Sequence, residues 1–217
     1  MGTGSEEALQ RKVRSEGVLH RDGVRINQHL PVIETREEAH LRSTQEVAYR
    51  TLALLAVALK GEGLEQELVE MLVGRYDLAR YFTPKEAVFI RSVAPSQSDR
   101  IQFLWRYEAA WVLLWALGYL EELGKPSTIC DVPKAVTIMH ERTAAQFVAD
   151  AKLRSLEEVL DEADLVYRYD WAVVDARVND KPSPAGLDPS VVHERHYALN
   201  WLIGYMDQDW DDVSTDT

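Results

Sequence analysis

The sequence predicts an all-α fold, because helical periodicity and helix-capping signals account for nearly the whole chain. The stretch Phe103–Leu123 is apolar on every side of a helix, and no charged residue occurs between Ala109 and Leu120. A helix without a polar face has to be surrounded by other helices. Alternating strand patterns are few. We therefore expect a single compact domain of about eight helices around two central apolar helices, residues 99–123 and 189–206.

The first 60 residues predict two helices separated by an irregular segment. Ser5 opens a short amphipathic helix that ends at Gly17. Residues 18–34 contain turn-forming residues and have no helical period. The capping box T-x-x-E at residues 35–38 then begins a helix that runs unbroken to Lys60.

Six further helices are expected, and most begin at a recognisable cap. Thr83 and Ser155 begin capping boxes, whereas Asp131 and Asp188 are single cap residues. No internal repeat is found. We divide the chain into an N-terminal helix and irregular segment, residues 1–34, packed on a helical domain, residues 35–217, with an acidic tail. The six expected ranges are about 64–80, 84–94, 98–123, 131–151, 155–180 and 189–206.

The net charge of −12 is unevenly distributed along the chain. Residues 1–60 hold nine Lys/Arg and eight Asp/Glu, whereas residues 61–217 hold fifteen and twenty-eight. An acidic protein repels the phosphate backbone of nucleic acids, so we expect no nucleic-acid partner. A basic protein partner suits this charge better.

The remaining bulk features predict a cytoplasmic protein without a cofactor. Cys130 is the only cysteine, so no intramolecular disulfide can form, which suits a reducing compartment. The N-terminal residues lack the apolar region of a signal peptide. The twelve apolar residues 109–120 fall short of the ~20 that span a bilayer, so we expect no membrane segment. No phosphate loop, nucleophile elbow or dinucleotide fingerprint occurs.

One charged residue stands out on the last helix. Arg195 lies within its apolar stripe, and a buried guanidinium without a carboxylate costs several kcal/mol. Arg195 is therefore expected to be buried and paired with a carboxylate. Glu108, among apolar residues of its own helix, is the first choice and Asp164 the second, although Arg168 at i+4 could already pair with Asp164.

Two interpretations of such a pair remain open. It could only fix the register between two core helices, or it could belong to a pocket with an imidazole and tryptophan walls that binds a small ligand. A catalytic role of Glu108 or His196 as general base follows only from the second interpretation. The candidate residues of the pocket or buried polar network are Glu108, Trp111, Trp115, Asp164, Arg168, Arg195, His196 and Asn200.

Two patterns resemble metal sites but lack required ligands, so no metal is predicted. His193 and His196 are spaced i, i+3 rather than the i, i+4 of the HExxH motif. The sequence Asp207-x-Asp209-x-Asp211 imitates the start of a calcium loop, but the sixth position is not glycine. An acidic tail is the simpler interpretation.

Several combined motifs resemble a bacterial family catalogued as domain of unknown function 4272. They are LWALG at residues 114–118, LRS at 153–155, DLxYRxxWA at 164–172, ERHxALNWL at 194–202 and WDDVxTDT at 210–217. The resemblance covers roughly Arg14 to the C-terminus. It implies a soluble bacterial protein whose Asp-rich C-terminal segment belongs to the domain, and it implies no particular activity.

Two classes of function are expected from these features. The first is a non-enzymatic binding or protein-interaction protein, of adaptor or immunity type, that offers an acidic face to a basic partner. The alternative is a small-molecule-binding protein or enzyme that uses a buried Glu/Arg/His pocket. The lack of a catalytic signature favours the first class, and the sequence does not predict an oligomeric state.

Overall fold

A computed structural model describes residues 3–217, and over these residues the chain is helical without any strand. The all-α prediction is confirmed. Three short 3-10 turns accompany the helices at Pro184–Gly186, Tyr205–Asp207 and Trp210–Asp212. The ten α-helices of the described chain are α1 (Thr3–Asp22), α2 (Thr44–Glu62), α3 (Gln66–Tyr76), α4 (Pro84–Arg91), α5 (Gln97–Leu104), α6 (Arg106–Ala116), α7 (Val132–His140), α8 (Ala144–Ala149), α9 (Leu156–Val178) and α10 (Pro189–Leu202).

Both helices expected in the first 60 residues have other bounds. Helix α1 continues through Gly17, because its buried face extends to Leu19. Thr35 and Glu38 do form the predicted hydrogen bond, 2.9 Å from the Thr35 N–H to Glu38 Oε2, but it closes only a turn. Helix α2 begins instead at the capping box of Ser43. The chain between the two boxes is extended and contacts the end of α10.

Two of the other expected helices are each divided in two. The range 98–123 forms α5 and α6, which meet at Trp105, and α6 ends soon before Gly118. The range 131–151 forms α7 and α8, because Thr143 makes a capping box of its own. Helix α10 ends at Leu202, shortly before Gly204, rather than near residue 206. These divisions account for the difference between eight expected and ten observed helices.

The chain forms two compact units that interleave in sequence. Unit 1 contains the described residues up to Leu41, residues 124–129 and residues 154–217, and unit 2 contains residues 42–123 and 130–153. Helix α1, which we expected in an N-terminal segment packed on the helical domain, packs along α9 in unit 1. None of the helices described for residues 3–217 combines the length and apolar character needed to cross a membrane.

Each unit has a helix pair at its centre. In unit 2, α2 packs on α6, and every residue of α6 from Tyr107 to Ala116 is buried. The side chains of Trp111 and Trp115 are 8% and 6% exposed, which confirms the predicted enclosure of this apolar helix. In unit 1, α9 packs on α10, and a core cluster joins them to α1; it consists of Leu19, Val24, Tyr169, Ala172, Val173, Leu187 and Val192.

The first helices of the two pairs begin with the same sequence. Residues 41–47 read L-R-S-T-Q-E-V before and into α2, and residues 153–159 read L-R-S-L-E-E-V before and into α9. Ser43 and Ser155 both form complete capping boxes with the glutamate three residues later. The identical residues therefore have the same structural role at the start of each helix.

The second helices of the two pairs also end alike. Both α6 and α10 lead into W-x-x-G-Y, at residues 115–119 and 201–205, with the glycine in the left-handed conformation at φ 78° and 69°. The carbonyl before each glycine accepts an N–H: Lys152 donates to Leu117 at 2.8 Å. In unit 1, His40 donates to Ile203 at 2.9 Å. Both donors directly precede the L-R-S sequence.

The chain therefore contains an internal repeat, α2 with α6 and α9 with α10, and the prediction of no repeat was wrong. The motifs are separated by 74 positions between Leu41 and Trp115 but by only 48 between Leu153 and Trp201. A search for a fixed period does not detect two copies whose intervening segments differ so much in length.

Candidate functional site

Unit 1 has a pocket of about 800 Å³ that brings together polar side chains from five parts of the chain. The volume lies within the range of roughly 300–1,000 Å³ typical of small-molecule sites. The lining residues are Ser5, Pro31, Val32, Ile33, Glu34, Thr35, Glu38, Tyr167, His196, Asn200, Tyr205, Met206 and Asp216.

One wall is the irregular segment 28–38, which basic side chains hold in place. Arg11 Nη1 donates to the carbonyl of Glu34 at 2.9 Å. Lys12 Nζ donates to two carbonyls, those of residues 28 and 30, at 2.7 and 2.6 Å. Backbone carbonyls that are buried outside a helix need hydrogen-bond donors from other parts of the protein. These bonds fix a segment that has no regular hydrogen-bonding pattern of its own.

A buried ion pair on α9 supports the same wall. Arg168 binds Asp164 through two bonds, Nε to Oδ2 at 2.8 Å and Nη2 to Oδ1 at 2.7 Å, and both side chains are at most 1% exposed. Arg168 Nη2 also donates to the carbonyl of Pro31 at 3.3 Å. The predicted i, i+4 pairing is confirmed, and Asp164 is thereby engaged by Arg168 rather than by Arg195.

A second buried network reaches the pocket from α9 and α10. His196 Nδ1 lies 2.9 Å from Asp170 Oδ2, and His196 Nε2 lies 3.2 Å from Asn200 Nδ2. The same Asn200 nitrogen donates to the carbonyl of Ser214 at 2.8 Å, which fixes the amide orientation. His196 Nε2 must then accept, so the ring proton is on Nδ1 and is donated to Asp170. In this arrangement the imidazole is held in position by a hydrogen bond at each of its two nitrogens.

The C-terminal segment completes the pocket and is part of unit 1. Ser214 is held by Asn200 and by Gln208, whose Oε1 accepts the Ser214 N–H at 2.9 Å. Trp210 is 4% exposed. Its ring packs edge to face with those of Tyr197 and Trp201, with a centroid-to-centroid distance of 5.3 Å in each pair. The prediction that the acidic segment belongs to the domain agrees with this packing.

The ionisable groups of the lining have differently perturbed pKa values. Burial raises the pKa of Glu34, with nearby Arg11 acting in the opposite direction. Hydrogen bonds from the backbone and hydroxyl of Thr35 lower the pKa of Glu38. Burial raises the pKa of both Tyr167 and Tyr205, so their hydroxyls stay protonated and can donate.

A comparison with unit 2 shows how the two copies differ near this pocket. In unit 2, Tyr119 follows the glycine that occurs in both copies of the repeat. Its ring packs against that of Phe147 of α8 in a tilted arrangement, with ring centroids 4.8 Å apart. Phe147 is completely buried. In unit 1, Tyr205 has the position that Tyr119 has in unit 2. The segment from the capping threonine to the residue that donates to the helix end is shorter in unit 1: Thr35 and His40 are five positions apart, whereas Thr143 and Lys152 are nine apart. The shorter segment of unit 1 forms only a turn before His40, whereas unit 2 has helix α8 before Lys152.

The polar residues of the pocket also replace apolar residues of the other copy. When the two repeats are superposed in sequence on their glycines, His196 corresponds to Ala110 and Asn200 to Leu114. Counted from the capping serines, Asp170 corresponds to Ala58. All three counterparts are fully buried in unit 2. The helix-pair scaffold therefore does not require this polar network, which favours a functional role.

Three predicted residues lie in unit 2 and do not line this pocket. They are Glu108, Trp111 and Trp115 of α6. Glu108 Oε1 accepts the backbone N–H of Cys130 at 2.5 Å, and Lys134 lies 6.0 Å from the centroid of the Trp111 ring. Tryptophan walls are therefore not part of the described pocket. Glu108 instead holds the chain at the start of α7.

Arg195 is buried as predicted, with a relative exposure of 2%. Its Nη1 donates to the carbonyl of Gly124 at 2.7 Å. It also attracts Glu162 on α9. Burial raises the pKa of Glu162, and the attraction of Arg195 offsets part of this rise. Glu162 was missed by the sequence analysis, because it lies near the polar margin of its helix. The pairing of Arg195 with Glu108 stays a prediction.

His193 and His196 do not converge on a common position. His193 is exposed and contacts Thr215, whereas His196 is buried against Asp170. Among residues 3–217, no group of three His, Cys, Asp or Glu side chains is placed to hold a metal ion.

Most of the lining was not predicted, including Glu34, Glu38, Tyr167, Tyr205 and Asp216, and neither was the supporting Asp170. Asp170 could have been found, since the residues three and four positions from it on α9, at 166, 167, 173 and 174, are Val, Tyr, Val and Val. Glu34 gave no signal, because a carboxylate in an irregular segment is ordinarily solvated. Tyr205 and Asp216 depend on how the C-terminal segment folds back.

Fold and pocket together define an all-helical protein of two units, one of which carries a polar pocket. The chain belongs to the family described as domain of unknown function (DUF4272), whose sequence model matches residues 11–213. The resemblance found in the sequence is thereby confirmed. The match includes α2 to α10, so both units are part of the family's domain. No curated protein and no solved structure matches the chain.

Proposed function

We propose that this protein is a non-enzymatic, cytoplasmic binding protein of bacteria, and that the unit 1 pocket binds an organic cation. The group would be an amine or a guanidinium. It would be carried either by a small molecule or by a lysine or arginine side chain of a basic protein partner. A single cysteine cannot form an intramolecular disulfide, and this supports a reducing compartment such as the cytoplasm. The family resemblance supports a bacterial origin.

The observation that carries the proposal is the charge of the lining. Three carboxyl groups face the pocket, those of Glu34, Glu38 and Asp216, and neither lysine nor arginine is among the described lining residues. A concave site lined by one sign of charge concentrates ligands of the opposite sign. The nearby basic side chains Arg11 and Arg168 point at backbone carbonyls of the wall instead.

Aromatic side chains and overall charge support the same ligand class. Tyr167 and Tyr205 both line the pocket. Tyrosine rings attract ammonium and guanidinium groups through their negative faces. Unit 1 contains twelve Lys/Arg against twenty-two Asp/Glu, whereas unit 2 contains twelve against fourteen. Most of the negative charge of the chain is thus in the unit that has the pocket.

Isothermal titration calorimetry tests the proposal with three probes: agmatine, putrescine and a short lysine-rich peptide. We expect saturable binding of at least one of them to the full chain. Saturation by agmatine or putrescine supports a small-molecule ligand, and saturation by the peptide alone supports a basic partner. Absence of saturable binding by all three probes would overturn the proposal.

Glu34→Gln is the decisive variant, with Glu122→Gln as its matched control. Glu34 lines the pocket, whereas Glu122 is an exposed residue of unit 2 with the same charge. Removing one partly buried charge interaction should weaken the binding by about tenfold. The control should bind like the wild type. Equal losses in both variants would show that only net charge matters and would contradict a pocket.

A second candidate function, a general acid–base enzyme, is favoured by the Asp170–His196 pair at the pocket wall. A carboxylate that orients one imidazole nitrogen leaves the other to move protons. Here that nitrogen accepts from Asn200. Mass spectrometry of any bound probe after prolonged incubation distinguishes the two functions. Conversion that is lost in His196→Gln would support the enzyme, and an unchanged probe would support the binding protein.

A further inference from the structure

We infer that unit 1 has a second ligand site, a pocket for an oxyanion group lined by Arg177, Lys181 and His193. The pocket has a volume of about 630 Å³. It lies beside the end of α9 and the first turns of α10. It shares no lining residue with the cation pocket, so the inference does not depend on the proposed function.

The end of α9 brings the two permanent cations of this pocket together. Asp180 has the left-handed conformation, φ 52°, and the Lys181 N–H donates to the carbonyl of Ala176 at 2.8 Å. This is the hydrogen bond by which a Schellman turn closes a helix. The turn reverses the chain and returns Lys181 to the last helical turn, where Arg177 also faces the pocket.

These cations have no counter-ion within the described chain. The side chains of Arg177 and Lys181 make neither an ion pair nor a hydrogen bond to residues 3–217. Basic side chains that line a cavity without a carboxylate partner are available to bind an anion.

The other lining groups suit a small anionic molecule. Val173, Val174 and Pro189 form an apolar surface next to the cations. His193 contributes its ring, whose Nδ1 lies 3.4 Å from the Thr215 hydroxyl oxygen. Ser183 is also in the lining, with its hydroxyl donated to the carbonyl of Leu187. The arrangement combines charged donors with an apolar wall for the rest of a ligand.

The lining also has two carboxylates, which equal the two cations in formal charge but form no ion pair with them within the described chain. Asp170 accepts the proton of His196 Nδ1 and is 4% exposed. Asp180 is exposed to solvent. Arginine can bind two oxygens of one phosphate or carboxylate at contact distance. The more distant acidic groups of unit 1 are screened over roughly 8 Å at physiological ionic strength. An oxyanion in this pocket would therefore be held by direct contact with Arg177 and Lys181 and not by the overall charge of the unit.

Titration of the full chain with inorganic phosphate and with acetate tests this site. The protein is kept in chloride buffer, and NMR signals are followed while sodium chloride holds the ionic strength constant. We expect saturable shifts at residues around Arg177 and His193. Saturation by phosphate alone identifies a phosphate-bearing ligand class, and similar saturation by acetate identifies a carboxylate-bearing class.

The double variant Arg177→Gln with Lys181→Gln should weaken this binding by about tenfold or more. Arg21→Gln with Lys125→Gln is the matched control, since both residues are exposed in unit 1 and outside the pocket. The control should bind like the wild type. No saturable shift in the wild type, or equal weakening in both double variants, would overturn the inference.

Discussion

At the scale of single residues, the pocket depends on charges that are removed from water. Asp164 and Arg168 form a two-bond pair that is almost fully buried, and Arg168 also holds the carbonyl of Pro31 in the pocket wall. Removing either partner of such a pair destabilises the fold, because the other charge then stays buried without a counter-ion. The pair therefore links the stability of α9 to the shape of the pocket.

Arg168→Met is expected to lower the free energy of unfolding by about 3–5 kcal/mol, because Asp164 keeps a buried charge without its partner. The double variant with Asp164→Asn should recover part of the loss. Chemical denaturation monitored by circular dichroism measures both. Arg177→Met, an exposed arginine of the same helix, is the control and should change stability by at most about 0.5 kcal/mol. A loss for Arg168→Met no larger than for this control would contradict the paired arrangement.

Glu34→Gln should change stability in a pH-dependent way. Burial raises the pKa of Glu34 in the folded state above the ordinary value of 4.5. Ionising the carboxyl therefore destabilises the fold, and this loss appears as the pH rises through the folded pKa. The variant avoids it, so its melting temperature should equal that of the wild type at about pH 4 and exceed it at about pH 8.

Glu38→Gln serves as the control of opposite sign in the same calorimetric series. Hydrogen bonds from Thr35 lower the pKa of Glu38, so its ionised form stabilises the fold above the ordinary pKa and this stability is lost on acidification. The variant should melt below the wild type at neutral pH. The same direction of change in both variants would refute the opposed environments of the two carboxyls.

At the scale of elements, the pocket lies where the two copies of the repeat differ. In unit 2 the ring of Tyr119 contacts Phe147 of helix α8, whereas in unit 1 Tyr205 lines the pocket and the segment from Thr35 to His40 is four residues shorter than that from Thr143 to Lys152. The glycines that end α6 and α10 keep both helix pairs in this arrangement. Their contacts provide a test of the repeat itself.

Gly204→Ala and Gly118→Ala should each destabilise the protein by about 1–3 kcal/mol. Both glycines have positive φ, and an added Cβ atom would lie 2.9 Å from the carbonyl oxygen of His40 or Lys152, respectively. Thermal unfolding measures the loss. Gly74→Ala within α3, where no atom lies within 4 Å, should instead gain about 0.5–1 kcal/mol. Alanine at Gly204 or Gly118 without loss of stability would argue against the shared contact.

Much of this element structure follows from local sequence signals, and the rest depends on tertiary contacts. The boxes at Thr83 and Ser155 have the predicted structure, since the capping hydrogen bonds are local. The box at Thr35 forms the same bond but no long helix, because the chain at His40 pairs with the end of α10. No local pattern indicates a contact between segments so far apart in sequence.

The same distinction holds for the candidate site. His196 and Asn200 could be named in advance because they are polar residues on a largely apolar helix. Glu34 and Asp216 could not, since their position in the lining depends on how irregular segments fold. The tryptophans of α6 were overestimated as pocket walls, because an apolar helix indicates burial and not a neighbouring cavity.

At the scale of the whole molecule, charge is distributed between the units according to the proposed roles. Unit 2 is nearly neutral and has an apolar helix pair, and unit 1 is strongly acidic and has both pockets. Binding of a cation to unit 1 should therefore weaken as salt is added, because screening shortens the reach of the acidic groups to about 3 Å near 1 M. Calorimetric affinities for agmatine that are independent of salt would contradict an electrostatic site.

The most direct test of the cation pocket is the location of bound agmatine by two-dimensional NMR of the labelled full chain. We expect the largest, saturable shifts at the backbone amides of Glu34 and Thr35 and in the neighbourhood of Tyr167, Tyr205 and Asp216. Glu34→Gln should reduce these shifts at the same agmatine concentration. Shifts confined to unit 2, or spread evenly over exposed acidic residues, would contradict a cation pocket in unit 1.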